Sequence, residues 1–292
     1  MADVIPFSKY EGLGNDFVLI DDPYGRVEIA APLVVALCDR HLGIGADGLL
    51  VVKAPASDQS IGRMGYWNRD GGAAEMCGNG VRCLAKHLRD RHGIGAGPFV
   101  IETGAGPVRC RILEEGDAVS QVEVEMSAPQ FDPASLPMRP EDAASPFVRP
   151  LGDRPISFTP LSAGNPHIVT FDVDAPEGRA TMGPALERDP AFPNGVNVGF
   201  ARMAGAAAID LDVFERGCGF TKACGTGACA AVAAACRTGR VPWGTMVEVR
   251  LPGGTLHVTA PGPDQPIRMK GPARRVFEGT FVVRHLVPGS RD

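Results

Sequence analysis

Several signals that would send this 292-residue chain to a particular compartment or partner are missing. No apolar run approaches the roughly 20 residues that a membrane-spanning helix needs, so no membrane partner is expected. Basic residues do not predominate: 29 Lys and Arg stand against 34 Asp and Glu, a net charge of -5. The electrostatic footprint of a nucleic-acid binder is therefore absent. The first sixteen residues hold no basic flank followed by an apolar stretch, and no cleaved leader is expected. No Cys-x-x-Cys pair and no His-rich cluster occurs, which argues against structural zinc. What remains is the ordinary balance of a globular cytoplasmic protein, 44% hydrophobic and 22% charged, long enough for two domains.

Eight cysteines are present: Cys38, Cys77, Cys83, Cys110, Cys218, Cys224, Cys229 and Cys236. In a reducing compartment they are not expected to form a disulfide framework. Most cysteines in such a chain are small buried hydrophobes, and Cys83, Cys229 and Cys236, flanked by Leu and Ala, fit that description. Cys38, Cys110 and Cys218 have no feature that lifts them above it.

Local patterns predict strands over 4–9 and 17–21 around a Gly-Leu-Gly-Asn turn, and a helix over 32–41 closed by Gly43. Val81, Leu84, Ala85 and Leu88 share one face of a helix that Gly93 ends. Ile209, Leu211 and Val213 alternate with Asp210 and Asp212 as a half-buried strand does, and 228–236 reads as a helix buried all round. Seven prolines between Ala128 and Pro155 read as a connection between domains.

On either side of that stretch one arrangement recurs. Gly14-Asn15 is followed by Cys77-Gly-Asn-Gly, with 62 residues from Asn15 to the cysteine. Gly164-Asn165 is followed by Cys224-Gly-Thr-Gly, with 59 residues from Asn165 to the cysteine. Nine residues before each cysteine stands a polar side chain, Asn68 or Glu215. The two cysteines are 147 residues apart, and three matches in register argue for duplicated domains.

Each Cys-Gly-x-Gly opens a predicted helix. A helix N-terminus offers unpaired N–H groups and partial positive charge, which stabilise a thiolate and bind anions. The glycines let an anionic group approach closely. Two tuned thiols on opposite faces of a carbon suit proton removal from one side and delivery from the other. A cysteine hydrolase using Cys77 with His167 is a rival, but it leaves Cys224 and the duplication unused. A pair that merely forms a disulfide is another. Gly43-Ile-Gly-Ala-Asp-Gly48 matches G-x-G-x-x-G literally, yet a helix precedes it and a strand follows, the reverse of a dinucleotide site.

With these residues in view, the chain resembles the diaminopimelate epimerase family over nearly its whole length. The matching stretches are Gly12-Leu-Gly-Asn-Asp-Phe17, Gly43-Ile-Gly-Ala-Asp-Gly48, Asn68-Arg-Asp-Gly71, Cys77-Gly-Asn-Gly80, Gly164-Asn-Pro-His167, Val196-Asn197, Glu215-Arg-Gly217 and Ala223-Cys-Gly-Thr-Gly-Ala228. The resemblance implies two pseudo-symmetric α/β (α+β) domains, each a mixed sheet wrapped around a central helix. It places the first at 1–127 with 276–292, the second at 128–275, and the active site in the cleft between them. It implies cofactor-independent interconversion of LL- and meso-2,6-diaminopimelate for lysine and peptidoglycan precursors, with neither pyridoxal phosphate nor metal. By matching position, Cys77 and Cys224 are the acid/base pair. Gly78, Asn79, Gly225 and Thr226 cradle the reacting carboxylate. Asn15, Asn68, Asn165, Asn197, Glu215 and Arg216 hold the other substrate groups, and His167 and Glu215 adjust the thiols. The resemblance also implies a homodimer, with Phe277 where relatives often place Tyr at the dimer contact.

Overall fold

The computed structural model describes residues 4–95, 97–114, 116–132, 136–142 and 146–283. The chain divides into two compact units, Met1–Val124 with Gly271–Asp292, and Glu125–Lys270.

The first unit is built from β1 (Val4–Gly12), β2 (Asn15–Asp21), α1 (Ala31–Cys38), β3 (Gly48–Lys53), β4 (Gly62–Asn68), β5 (Ala73–Ala74), α2 (Gly78–His92), β6 (Phe99–Thr103), β7 (Gly106–Glu114) and β8 (Val119–Met126). The second holds β9 (Phe147–Leu151), β10 (Arg154–Ser162), β11 (Pro166–Thr170), α3 (Pro176–Glu187), β12 (Asn197–Gly205), β13 (Ala208–Glu215), β14 (Gly219–Phe220), α4 (Gly225–Arg237), β15 (Met246–Leu251) and β16 (Gly254–Thr259). β17 (Ile267–Val282) begins in the second unit, where it pairs with β16, and continues in the first, where it pairs with β1.

The duplication read from the cysteine spacing is present in the strand pairing. In the first unit β1–β2 is antiparallel, β2–β3 parallel, β3–β4 antiparallel, β4–β5 antiparallel, β4–β6 parallel and β6–β7 antiparallel. In the second, β10–β11, β11–β12, β12–β13, β13–β14, β13–β15 and β15–β16 repeat that series step for step. Both units are therefore mixed sheets of one design.

Each sheet packs around one helix. α2 lies against β1, β2, β3, β4 and β7, and α4 against β10, β11, β12, β13, β15 and β16. The two helices meet enclosure differently. α4 is built from small residues, so a full turn of Ala, Val and Cys can be buried without bulk. α2 instead buries Arg82, Lys86 and His87 and must pair them: Lys86 Nζ donates to Asp90 and to the carbonyls of Gly116 and Asp117. Gly93 closes α2 in the left-handed conformation with φ 60°, as the sequence predicts.

Two expectations need correcting. The helix expected over 32–41 ends at Cys38, because the Asp39 carboxylate takes the N–H groups of His41 and Leu42 and turns the chain out. The proline-rich stretch is not a connection. It lies in the second unit and contains β9, whose Phe147 is buried in a cluster with Ile156, Phe158 and Phe192. β9 pairs with β10, placing Pro150 opposite Pro155. Pro133, one of its seven prolines, lies outside the described residues.

Candidate active site

Cys77 and Cys224 occupy one structural position in their respective units. Each is the N-cap of the central helix, with φ/ψ of -143°/117° and -124°/110°. In each the sulfur takes the place of the usual capping oxygen. Gly80 N–H donates to Cys77 Sγ at 3.4 Å, and Gly227 N–H to Cys224 Sγ at 3.3 Å. The glycines are required for space. A Cβ on Gly227 would come within 2.8 Å of Val213 and 3.2 Å of Cys224 Sγ, and one on Gly80 within 3.1 Å of Leu50. The preceding N–H groups, of Gly78 and Asn79 and of Gly225 and Thr226, belong to the first turn that a helix cannot pair internally.

In the first unit Asn15, at the start of β2, connects to this cap. Its Oδ1 faces the Cys77 thiol at 3.7 Å and accepts from Asn79 Nδ2 at 3.3 Å, while its Nδ2 donates to Asp47 at 3.1 Å. Asp47 is anchored by Arg40, which also pairs with Asp16; Asp16 in turn pairs with buried Lys9. Burial alone would raise the Asp16 carboxyl, but Arg40 and Lys9 overcome it and bring it down to about 2. Asn68 ends β4, opposite Gly48, and accepts from the Tyr66 hydroxyl at 2.6 Å.

In the second unit Glu215 ends β13. The Cys224 thiol is hydrogen-bonded to its carboxylate, which also accepts from the Thr221 hydroxyl. Burial, and next the Glu215 charge, push the Cys224 thiol well above its ordinary value; Thr226 and the Gly227 N–H pull the other way. Burial likewise raises Glu215, opposed by its bonds from Thr221 and Cys224. Cys224 is therefore a thiol at neutral pH. A thiolate formed beside that carboxylate is a strong base.

Asn197 braces this half: its Nδ2 donates to the Pro166 carbonyl and its Oδ1 accepts from the Arg216 N–H. The Arg216 side chain is exposed, and its stem lies over Gly195 (φ 70°), where a Cβ would come within 3.0 Å of Arg216 Cδ. Its Nη1 donates to the Asn194 carbonyl at 3.1 Å, and it pairs with no carboxylate among the described residues.

His167 is fully buried on β11 opposite Asn197, with Nε2 2.8 Å from Asn165 Oδ1 and Nδ1 without a partner. Burial, and then the charge of Arg216, depress its pKa to about 3. At neutral pH it is a neutral ring whose Nε2–H orients Asn165, so it carries no charge to Cys224. In the unfolded chain the ring takes a proton near pH 6.5 and in the folded chain it does not. Stability should therefore fall by up to about 1.4 kcal/mol per pH unit as pH drops from 6.5 toward 3. His167→Gln should flatten that acid limb in urea titrations between pH 7 and 4; an unchanged slope would contradict the assignment.

The registers show which residues correspond. Gly48 pairs with Phe17 and Asn68; Asn197 pairs with His167, and the β12–β13 register, which starts at Val198 opposite Phe214, puts Glu215 next in line with Asn197. Asn15 thus matches Asn165, Phe17 matches His167, and Gly48 matches Asn197. A side chain at Gly48 has no room, since its Cβ would lie 2.9 Å from the Tyr66 ring and 2.7 Å from the Trp67 carbonyl. Tyr66 fills that space and brings a hydroxyl to Asn68. Sequence reasoning missed Tyr66 and Asp47. Neither belongs to a repeated motif, although the adjacency of Asp47 to Gly48 and of Tyr66 to the Asn68 motif was a usable signal.

Among the described residues one grouping has metal-ligand proximity, Asp21 with His87 and His92. Asp21 Oδ2 is 2.7 Å from His92 Nε2 and 3.5 Å from His87 Nε2. The Nδ1 of His87 is buried without the acceptor that normally orients a metal-ligating imidazole. The grouping reads as a hydrogen-bonded cluster on the C-terminal half of α2, at the opposite end of that helix from Cys77. No helix among the described residues is long and apolar enough to cross a membrane.

The sequence matches the family described as diaminopimelate epimerase over residues 7–131 and 160–276. It is 40% identical over 278 residues to a diaminopimelate epimerase of Nitrosomonas europaea, covering 95% of this chain and 98% of the relative. It is 42% identical over 280 residues to that of Azoarcus sp., covering 94% and 98%. Among solved structures, a hydroxyproline epimerase from Agrobacterium vitis superposes with a TM-score of 0.67 at 15% identity, covering 95% of this chain and 91% of that one. At that identity the likeness shows the shared fold.

Proposed function

Because the chain belongs to the diaminopimelate epimerase family, we propose that it interconverts LL- and meso-2,6-diaminopimelate, with Cys77 and Cys224 as its two proton carriers. One observation carries this reading. Two duplicated units each present a cysteine as N-cap of the central helix, with the sulfur held by the third N–H of the helix at nearly equal distance. In this reading the substrate Cα lies between the two sulfurs. One thiolate removes the α-proton while the opposite thiol delivers another. The first-turn N–H groups of Gly78 and Asn79, and of Gly225 and Thr226, bind the α-carboxylate and stabilise charge as the carbanion develops. No cofactor is needed, because the electron sink is the carboxylate held against two helix N-termini.

The remaining polar groups recognise the rest of the molecule. Asn15, Asn68 and Asn165 offer paired donors and acceptors for ammonium and carboxylate groups. Asn197 keeps one amide hydrogen and one lone pair for substrate while positioning Arg216, whose guanidinium, bonded through Nη1 to the Asn194 carbonyl but to no carboxylate among the described residues, grips the distal carboxylate. Glu215, in contact with Cys224, adjusts that thiol, whereas the neutral His167 ring orients Asn165 for substrate. The reading also places the enzyme in the cytoplasm, in lysine and peptidoglycan precursor formation, as a homodimer. Free cysteines throughout the described chain support the first of these, and the exposed Val276 and Phe277 on β17 support the last.

The test is incubation with LL-diaminopimelate followed by chiral separation: meso product should accumulate to equilibrium without added cofactor, and unchanged substrate would overturn the assignment. The role of Glu215 has its own check. The carboxylate disfavours the Cys224 thiolate, so Glu215→Gln lets Cys224 ionise at lower pH. The alkaline limb of the pH–rate profile should move down, with turnover reduced roughly 10²-fold. A profile that stays in place would reduce Glu215 to a packing residue.

A further inference from the structure

Arg82 lies fully buried on α2, five residues after Cys77, and its guanidinium points its donors into the first cradle. Nη2 donates to Asn79 Oδ1 at 2.9 Å, Nη1 to the Gly78 carbonyl at 3.4 Å, and Nε to the Pro272 carbonyl at 3.2 Å. Space around it is tight: a Cβ on Gly12 would come within 3.2 Å of Nη2. The fold itself does not demand an arginine here. The corresponding position of α4, five residues after Cys224, is Cys229, equally buried.

The donors and acceptors form a directed chain. A guanidinium only donates, so the Asn79 atom facing it must be the oxygen. Asn79 Nδ2 is then turned toward Asn15, where it meets Oδ1 at 3.3 Å. At the other end the Asp47 carboxylate only accepts, so the Asn15 atom facing it must be the nitrogen, at 3.1 Å. Arg82 and Asp47 therefore fix both amides from opposite ends, and neither can flip without setting oxygen against oxygen. The consequence falls on Cys77, whose thiol is presented with Asn15 Oδ1 at 3.7 Å and with the Gly80 N–H.

We propose that Arg82 is a positioning residue for the reaction. It locks the Asn79 amide, and through it Asn15, so that the Cys77 thiol and the first carboxylate cradle are held in one hydrogen-bonding arrangement. The turnover consequence rests on the two-cysteine reading. The effect on Cys77 reactivity does not depend on which substrate is used.

The experiment compares Arg82→Met, Arg82→Lys, Asn79→Ala and the Arg82→Met/Asn79→Ala double variant. Two quantities are measured: kcat/KM with LL-diaminopimelate, and the pH dependence of iodoacetamide alkylation at Cys77, with Cys224 of the same molecules as internal control. Arg82→Met should displace the Cys77 alkylation profile, leave that of Cys224 in place, and lower kcat/KM roughly 10²-fold. Arg82→Lys should fall nearly as far, since a single ammonium nitrogen cannot reproduce the planar fork whose three nitrogens reach Asn79, Gly78 and Pro272 separately. The double variant should be no worse than Asn79→Ala alone, because both act through one amide. Losses that multiply in the double variant, full activity in Arg82→Lys, or equal displacement of both cysteine profiles would overturn the proposal. If Arg82→Met does not fold, Arg82→Lys and Asn79→Ala still decide it through the two alkylation profiles. Wild-type protein inactive on diaminopimelate would contradict the functional reading and leave the alkylation test standing.

Discussion

Replacing either Cys77 or Cys224 by alanine is expected to reduce epimerisation by about 10⁴-fold or more while the protein stays folded. Each alanine leaves one face of the substrate carbon without a proton carrier, so neither direction of the reaction can be completed. The structural cost is small. Each sulfur caps one helix N–H, at 3.4 and 3.3 Å, and losing an N-cap costs about 1 kcal/mol. That loss is modest for a helix as enclosed as α2 or α4. Circular dichroism and thermal unfolding should place both variants close to the parent, and chiral assays should find no product. Near-normal turnover in either variant would end the two-base assignment.

The second large effect concerns the distal end of the substrate. Arg216→Lys should cost about 10²-fold or more in kcat/KM for diaminopimelate, although the charge is retained. Lys cannot offer the planar two-pronged donor that a carboxylate accepts. The Arg216 stem is seated over Gly195 and its backbone is held by Asn197, so the guanidinium is already oriented before substrate arrives. Substrates without a second amino-acid head, such as proline or alanine, leave these groups desolvated and unpaired. Rejection by about 10⁴-fold is expected on that ground. Steady-state comparison of diaminopimelate, 2-aminopimelate, lysine and proline measures it. Efficient proline turnover, or indifference to Arg216→Lys, would point to a proline-racemase-like specificity instead.

Much of the candidate site was legible in the sequence because it resides in local signals. Cys-Gly-x-Gly at a helix start is a cap read from four residues, and its recurrence with Asn15 and Asn165 at matched distance exposed the duplication that the strand pairing repeats. Less legible were features set by contacts remote in the chain. β9 lies in a stretch whose prolines mimic a linker, and only its pairing with β10 and the burial of Phe147 make it a strand. α3 begins at Pro176 but carries Pro184 within it, a residue that ordinarily argues against a helix. Tyr66 takes the space above Gly48 through a register no spacing announces. That His167, expected to help adjust the thiols, is a neutral ring bonded to Asn165 follows from its burial, which no local pattern announces. Arg82 sits in a helix pattern where a charged residue is usually a solvated face, and only the enclosure of α2 turns it inward.

The central claim is that two different groups carry the proton on and off the carbon, and solvent labelling tests it most directly. With LL-diaminopimelate in heavy water, samples taken in the first few per cent of reaction should contain meso product bearing one deuterium at the inverted centre. Remaining substrate in those samples should still be fully protonated, because the thiol that accepts the substrate proton is not the one that delivers solvent hydrogen. Deuterium appearing equally in substrate and product, or product that keeps the original hydrogen, would show a single carrier and contradict the pairing of Cys77 with Cys224.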